Sequence, residues 1–381
     1  MRAFVLVLLF VASALATEQT NDYVLQEYQM PTAFAAVAVS DDGTVVYGAA
    51  YDSKVYKSTD RGQTWTAVKT FKSGASFRGL FVDSQGSVFV GRTSTGYLHK
   101  GVVSGDSLAF TRPLHFNCHD CPGDKCSKMW HMAEDDSNHL FVGEYGGAFD
   151  DTCAYIWKST DGGDNWGLVY NGTARHIHVM AYDPFSHRIY ASHGDGSGRR
   201  KYMISTDGGA NWTERGGAAC RDQPISFVAA PNWRVWGSDC GGSDRNSIFT
   251  THDYEFSGTT WEDMTVHERH SFSGANVAED GYVWSMTRGP NGLIYAGTTA
   301  KSGGTQVGIY ISDDDGLTWR KLKDLGNMAQ WDGIVWMSNF DDKGYAYYTV
   351  QNSGSWTTYR FRAVPADRWR KHDGHSKRSW H

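Results

Sequence analysis

The chain has 381 residues and a formal net charge of −6, a balance that gives no general attraction to nucleic acid. With 43 Gly, 15 Trp, 20 Tyr and 18 Phe, the composition fits many short strands, tight turns and aromatic packing. Beyond the N-terminus no apolar run approaches the length of a membrane span.

In chain order, the first sixteen residues read as a secretory leader. Arg2 is the basic start, residues 4–12 are the apolar segment, and Ala14-Leu15-Ala16 is the small-residue cleavage site. The mature chain is expected to begin near Thr17 and to be secreted, extracellular and soluble, with no membrane span. In a secreted chain the six Cys favour disulfides. Asn171-Gly172-Thr173 and Asn211-Trp212-Thr213 are glycosylation sequons.

The strongest pattern is Ser-x-Asp-x-Gly-x-x-Trp, present at residues 58–65, 159–166, 205–212 and 312–319. Asp and Gly suit a tight turn, since Asp accepts nearby backbone N–H groups and Gly takes positive φ. Each copy follows a short β-rich run, such as Lys54-Val55-Tyr56-Lys57. Trp65, Trp166, Trp212 and Trp319 are separated by close to two, one and two units of about fifty residues. Degenerate copies at 104–110 and 251–261 fill two of the gaps. First strands are predicted to start near Thr32, Ser76, Met129, His176, Ile225, Val283 and Trp331. Second strands are predicted at 44–48, 87–91, 139–143, 188–192, 234–238, 293–297 and 345–349. The last unit has a third strand at 356–362, and residues 23–28 can supply its fourth.

These repeats resemble the Asp-box (BNR) repeat of sialidase-like β-propellers. The resemblance implies an all-β fold, a seven-bladed β-propeller of four-stranded antiparallel blades, with six or eight blades left open. It makes 17–365 a single propeller domain and leaves 366–381 as a basic, disordered tail. In such a ring the repeat turns are structural. The opposite face carries the starts of the first strands and the ends of the second strands.

That face is predicted to gather Arg78, Trp130, His131, His176, His178, Gln223, Trp284, Trp331 and Asp332 with Tyr51, Arg92, Glu144, Tyr145, His193, Asp195 and Asp239. Polar side chains converging in a concavity are the default site. His176-Ile177-His178 points both imidazoles one way if Ile177 packs inward. His131, His176 and His178, with Glu144 or Asp239, can hold a divalent metal, zinc or calcium. They can equally supply a base and an acid, or simply line the channel; no cofactor is required. Glu144 and Asp239 can be a hydrolase carboxylate pair, or can pair with Arg78 or Arg92. Arg78 and Arg92 suit a substrate carboxylate or sulfate. Trp130, Trp284 and Trp331 can stack on sugars, and His193 joins the substrate-binding set.

All six cysteines fall on this face. Cys220–Cys240 is one expected disulfide. Cys153 is expected to pair within the cluster Cys118, Cys121 and Cys126, leaving an internal loop bridge; zinc binding at that cluster is the alternative.

The sialidase Arg of a Phe-Arg-Ile-Pro motif is missing, because residues 30–34 read Met-Pro-Thr-Ala-Phe. The closer similarity is to secreted single-propeller polysaccharide lyases, through His176-Ile177-His178, Gly143-Glu144-Tyr145-Gly146 and Trp236-Gly237-Ser238-Asp239. It implies β-elimination beside a uronate, with Arg78, Arg92 or a metal neutralising the carboxylate and His176, His178 or Tyr145 taking the proton. The partner is then an acidic polysaccharide or other glycan, and the chain is expected to be a monomer. A non-catalytic glycan- or protein-binding propeller and a glycoside hydrolase stay open.

Overall fold

The computed structural model describes residues 22–366 apart from 73, 75, 94–95, 119–127, 147–151, 196–199, 218, 241–245, 253–265 and 272–280. The leader, Cys121, Cys126, most of the degenerate turn at 251–261 and the tail from 367 lie outside the described residues. No helix among the described residues is long and apolar enough to cross a membrane.

Short β-rich runs separated by Gly- and Asp-containing turns fold here into antiparallel sheets. β1 (Tyr23–Gln29) precedes them. Next come β2 (Phe34–Val39), β3 (Val46–Ala50), β4 (Lys54–Ser58) and β5 (Thr66–Thr70), one four-stranded sheet in sequence order. β6 (Phe77–Val82), β7 (Val88–Arg92), β8 (Tyr97–Ser104) and β9 (Ser107–His115) form a second. A third is built from β10 (Lys128–Glu134), β11 (Leu140–Tyr145), β12 (Ala154–Ser159) and β13 (Gly167–Gly172). β14 (His176–Asp183), β15 (Arg188–Gly194), β16 (Tyr202–Ser205) and β17 (Thr213–Arg215) make a fourth. The fifth has β18 (Pro224–Ala229), β19 (Trp233–Ser238), β20 (Ser247–His252) and β21 (His267–Ser271). β22 (Gly281–Arg288), β23 (Ile294–Ala300), β24 (Thr305–Ser312), β25 (Arg320–Met328), β26 (Gly333–Met337), β27 (Ala346–Asn352) and β28 (Ser355–Pro365) join β1 in an eight-stranded sheet. Inside it, β22–β25 and β26–β28 with β1 are two antiparallel ladders linked by one bridge, Thr299 to Gly333.

The sheets form a β-propeller. β2, β6, β10, β14, β18, β22 and β26 are the inner strands; each packs on the next, and β26 packs on β2. They begin within two residues of the predicted starts. Hydroxyl groups tie neighbours together: Ser192 donates to the Pro224 carbonyl at 2.7 Å, Ser226 to Val283 at 2.6 Å, Thr299 to Ile334 at 2.6 Å and Thr349 to Phe34 at 3.0 Å. Close approach also needs glycine. A Cβ on Gly143 would lie 2.5 Å from the Ile177 side chain of the next sheet.

β1 lies along β28 from Tyr23–Pro365 to Gln29–Tyr359, the pairing the sequence suggested for residues 23–28. It covers an edge that would otherwise present unpaired backbone groups. Leu25 is buried there, and Glu27 meets Lys323 at 2.5 Å and the Tyr348 hydroxyl at 2.6 Å.

The repeat turns join third to fourth strands. In the first, the Ser58 hydroxyl donates to Asp60 at 2.7 Å and accepts the Gly62 N–H at 2.7 Å. Asp60 accepts the Thr64 N–H and hydroxyl, and the Trp65 indole donates to the Gly62 carbonyl. Ser159, Ser205 and Ser312 open the same arrangement in their own turns. Arg61 of the first turn is bonded to Asp342 of the β26–β27 turn, so the two kinds of turn share a face. The repeat Asp residues are thus engaged in turn geometry, as expected.

Arg234 and Asp183 form a fully buried ion pair at 2.5 Å between the fourth and fifth sheets. Arg234 also donates to the Ala230 carbonyl at 2.8 Å. Replacing Arg234 with Ala strands a buried carboxylate and is expected to cost about 3–5 kcal/mol in a denaturant melt. Replacement by Met, which refills the volume, leaves the same carboxylate unpaired and should recover only the packing part.

Candidate functional site

Inner strands bring Arg78 (β6), Trp130 and His131 (β10), His176 and His178 (β14) and Trp284 (β22) to one end of the ring. The ends of second strands add Tyr145 from β11, Asp195 just after β15 and Asp239 just after β19. Each inner pair carries a β-bulge near this end; in β14 it falls between Ile177 and Met180. Ile177 enters the core and the two imidazoles stack on each other, turned together as read from the sequence, with the irregularity beginning just past Ile177.

The His176 and His178 rings stack at 4.8 Å and are each 1% exposed. His176 Nδ1 meets the Gly146 carbonyl at 2.9 Å, which makes it the protonated nitrogen and leaves a lone pair on Nε2. That Nε2 faces Asp195 at 3.5 Å, and His178 Nε2 lies 4.0 Å from the same carboxylate. Arg175 donates to Asp195 at 2.5 Å. Burial holds His176 well below the usual histidine range. It brings His178 down to about 4, against the pull of Asp195. Gly194 leaves the space for this pair: a Cβ there would lie 2.1 Å from His178 and 2.4 Å from His176. Gly194→Ala is expected to displace both rings and to cost about 1–3 kcal/mol, read as a lowered unfolding midpoint together with shifted imidazole NMR signals.

In front of the histidines, Arg78 is surrounded by aromatic faces. Its guanidinium lies 4.4 Å from the Trp130 ring, 5.5 Å from Tyr145 and 5.6 Å from Trp284. Tyr145 packs on His176 at 4.3 Å and edge-on to Trp130 at 4.3 Å. Burial pushes the Tyr145 hydroxyl up, and Arg78 pulls it back. Burial and the Asp195 charge push Asp239 up to about 8, with Trp284, Arg78 and Arg200 acting the other way. From Trp130 an aromatic row runs outward: Trp284 at 5.9 Å, then Trp331 at 5.9 Å, which stacks on Tyr282 at 5.2 Å. Trp331 is 45% exposed. Tyr51, stacked on Trp356 at 4.3 Å, also feels the Arg78 charge.

Several predicted members do not join this group. Glu144 is fully buried and accepts the Asn117 N–H at 2.8 Å, the Cys118 N–H at 3.2 Å and the Trp157 indole at 2.8 Å. A carboxylate so engaged holds a loop and is no partner for Asp239. His193 contacts the Tyr170 hydroxyl at 2.9 Å and is buried away from the histidine pair, on the Ile177 side of its sheet. His131 turns Nδ1 to the His178 carbonyl at 2.6 Å and lies against Trp130 and Trp336. It lines the channel with Met180, Ile225 and Trp336 and is not grouped with the other two histidines as a metal ligand. Among the described residues the metal-capable group is His176, His178 and Asp195, with ligand atoms within 4.8 Å of one another. Asp332 accepts the Ser353 N–H. Arg92 packs on Phe71 in a separate place.

Cys118–Cys153 and Cys220–Cys240 are disulfides, so Cys118 is not a zinc ligand. Both pairs fasten loops at the end of the ring that carries the cluster. Arg175, Tyr282 and Lys128, whose ammonium lies 5.7 Å from the Tyr145 ring, were missed. Arg175 was legible as the residue preceding the histidine pair; Lys128 was hidden by the cysteine-rich loop before it.

The DUF6242 beta propeller domain family model matches residues 11–220, and the chain belongs to that family. No curated protein matches it. Among solved structures it is similar to YCF48 from Cyanidioschyzon merolae, at 14% identity and TM-score 0.58 over 88% of this chain and 98% of that one. It is also similar to virginiamycin B lyase from Staphylococcus aureus, at 11% identity and TM-score 0.56 over 90% of this chain and 100% of that one. U3-55K matches at 9% identity and TM-score 0.59 over 88% and 98% of the two chains. At these identities the likeness is one of fold.

Proposed function

We propose that the chain is a secreted, carbohydrate-active propeller that cleaves uronate-containing polysaccharides by β-elimination. The observation that carries this is the meeting of Tyr145 and Asp239 around Arg78, at the inner end of an aromatic row. Two titratable groups whose surroundings keep both protonated near neutrality, one carboxyl and one phenol, are suited to split the work of base and acid. Arg78 binds the uronate carboxylate and makes the C5 proton acidic. Asp239, once ionised, takes that proton; the C4–O bond breaks as the C4–C5 double bond forms. Tyr145 gives its proton to the departing oxygen. Trp331 and Trp284 offer stacking faces to neighbouring sugars, and Tyr282 is buried against Trp331 and supports it. His176 and His178 are too enclosed to touch a substrate and brace Tyr145 from behind.

A divalent cation has its best seat behind that pair. The His176 lone pair and the Asp195 carboxylate face each other as two acceptors, and His178 stands beside them. Zinc fits such a donor set better than calcium.

The fold admits elimination chemistry only in the sense that virginiamycin B lyase shares it. The repeat turns have the form of Asp boxes, and the eight-stranded sheet reads as two blades around the bridge at Thr299, which makes a seven-bladed ring. Residues 17–365 are then one domain after a cleaved leader, and the chain acts as a monomer. The two disulfides are consistent with an extracellular protein. Of the two sequons, Asn171 is exposed on β13, whereas the Asn211 amide donates to Asp207 at 2.7 Å inside a repeat turn. Peptide mass spectrometry of protein secreted from a glycosylating host should find glycan on Asn171 and little on Asn211.

Product masses test the reaction. Fragments from elimination add up to the mass of the substrate, whereas fragments from hydrolysis exceed it by one water per cut. A binding propeller gives no fragments, and either of those two results would end the lyase reading.

A further inference from the structure

Away from Arg78, the junction of the first and second sheets gathers several cations around a few aromatic rings. Arg92, at the end of β7, is 9% exposed and lies 4.8 Å from the Phe71 ring. Lys69 of β5 lies 5.8 Å from Phe71 and 5.7 Å from Phe110. Arg112 of β9 lies 5.2 Å from Tyr97. His99 of β8, 2% exposed, packs edge-on to Phe71 at 5.4 Å.

Among the described residues no carboxylate pairs with Lys69, Arg92 or Arg112. The charges acting on His99 are those of Arg92, Arg112 and Lys69, all of one sign. Arg92 Nε and His99 Nε2 are buried without a hydrogen-bond partner. Aromatic faces offset part of the positive charge but offer no acceptor to a guanidinium N–H. Burying a cation without acceptors is costly. A bound anion would remove that cost and satisfy the fork of Arg92.

We propose that Arg92, Lys69 and Arg112 form a second binding site, for a sulfate or carboxylate group carried on an acidic glycan. Arg92 lies at the end of a second strand, like Tyr145, so the site opens on the face that carries Arg78. A chain crossing from one to the other would be held at two charged groups. The glycan as carrier rests on the reading above; the anion site does not.

The test is calorimetric titration of the full chain with a heparin-derived hexasaccharide, an oligogalacturonate and inorganic sulfate. Arg112→Gln, at an exposed position, and Arg92→Gln are compared with wild type, and Tyr145→Phe is carried alongside. At least one of the two oligosaccharides should bind wild type, with affinity falling as salt rises. Each Arg variant should weaken that binding about tenfold or more, the loss of one charge-assisted contact. Tyr145→Phe should bind at this site as wild type does even if it proves irrelevant to any reaction, which separates the two proposals. Equal affinities in wild type and Arg112→Gln would overturn the site. Binding of inorganic sulfate alone would overturn the glycan as its ligand.

Discussion

Tyr145→Phe and Asp239→Asn are each expected to lower the elimination rate by about 10²–10⁴-fold; Tyr145→Phe should leave the melting curve close to that of wild type, and Asp239→Asn, which removes a carboxyl whose ionisation burial opposes, should not lower it. Both changes keep shape and remove one proton-transfer group. Loss should appear in kcat with KM little changed, because Arg78 and the aromatic row still hold the substrate. The pH profile follows from which form of each group is active. Asp239 works as a base only when ionised, so kcat/KM should rise with pH and level off above about 8. Tyr145 works as an acid only while protonated, and burial extends that form upward, so the fall on the alkaline side comes late. The Asp239→Asn variant should lose the rise near pH 8. A profile flat from pH 6 to 9 would remove Asp239 from the mechanism.

Stability should peak near pH 6.5 and fall on both sides. On the acid side, burial keeps His176, His178, His131 and His99 neutral in the folded chain, with His178 and His131 at about 4 and His99 at about 3. Their folded pKa values lie below the unfolded value near 6.5. The unfolded chain therefore takes up the protons first, and stability is lost as pH falls from about 6.5 toward 4. His178, His131 and His99 each contribute on the order of 3 kcal/mol across that window, and His176 acts in the same direction. Asp239 acts in the opposite sense: its folded pKa, about 8, lies above the unfolded value, so its contribution is lost as pH rises from about 4 to 8. Below pH 6.5 the histidines outweigh it, and above 6.5 it acts alone among these groups. Denaturant midpoints at steps of half a pH unit would trace the curve. A midpoint that keeps rising from pH 6.5 to 8 would contradict the protonated state assigned to Asp239.

The ring was legible because its turns are local. Ser58, Asp60, Gly62 and Trp65 make their bonds within a few residues of themselves, so one repeat predicts the next. The direction of His176 and His178 was legible for the same reason, since alternation across three residues needs no partner strand. What failed needed register or a distant loop. Glu144 is bound by backbone groups 26 and 27 residues earlier, which no local pattern reveals. His193 stands opposite Ile177 in the β14–β15 ladder, so it shares the face that packs into the core. His131 sits close to the pair in space, yet its Nδ1 is taken by the His178 carbonyl. Asp195 was placed on the right face, but only the tight turn after Gly194, with φ of +47° at Asp195, brings its carboxylate to both imidazoles. Arg78 and Arg92, both on the second sheet, diverge because one belongs to an inner strand and the other to its neighbour.

The most direct measurement is far-ultraviolet absorbance of the purified protein with a panel of uronate-containing polysaccharides, with and without a chelator. Elimination creates an unsaturated uronate, so absorbance should climb with at least one member of the panel and stay flat with Tyr145→Phe. Loss of the signal on chelation, restored by zinc, would show that a cation is needed, and His178→Ala would then weaken the zinc rescue if the cation sits at His176, His178 and Asp195. A flat trace across the panel at every pH from 6 to 9 would contradict the lyase reading.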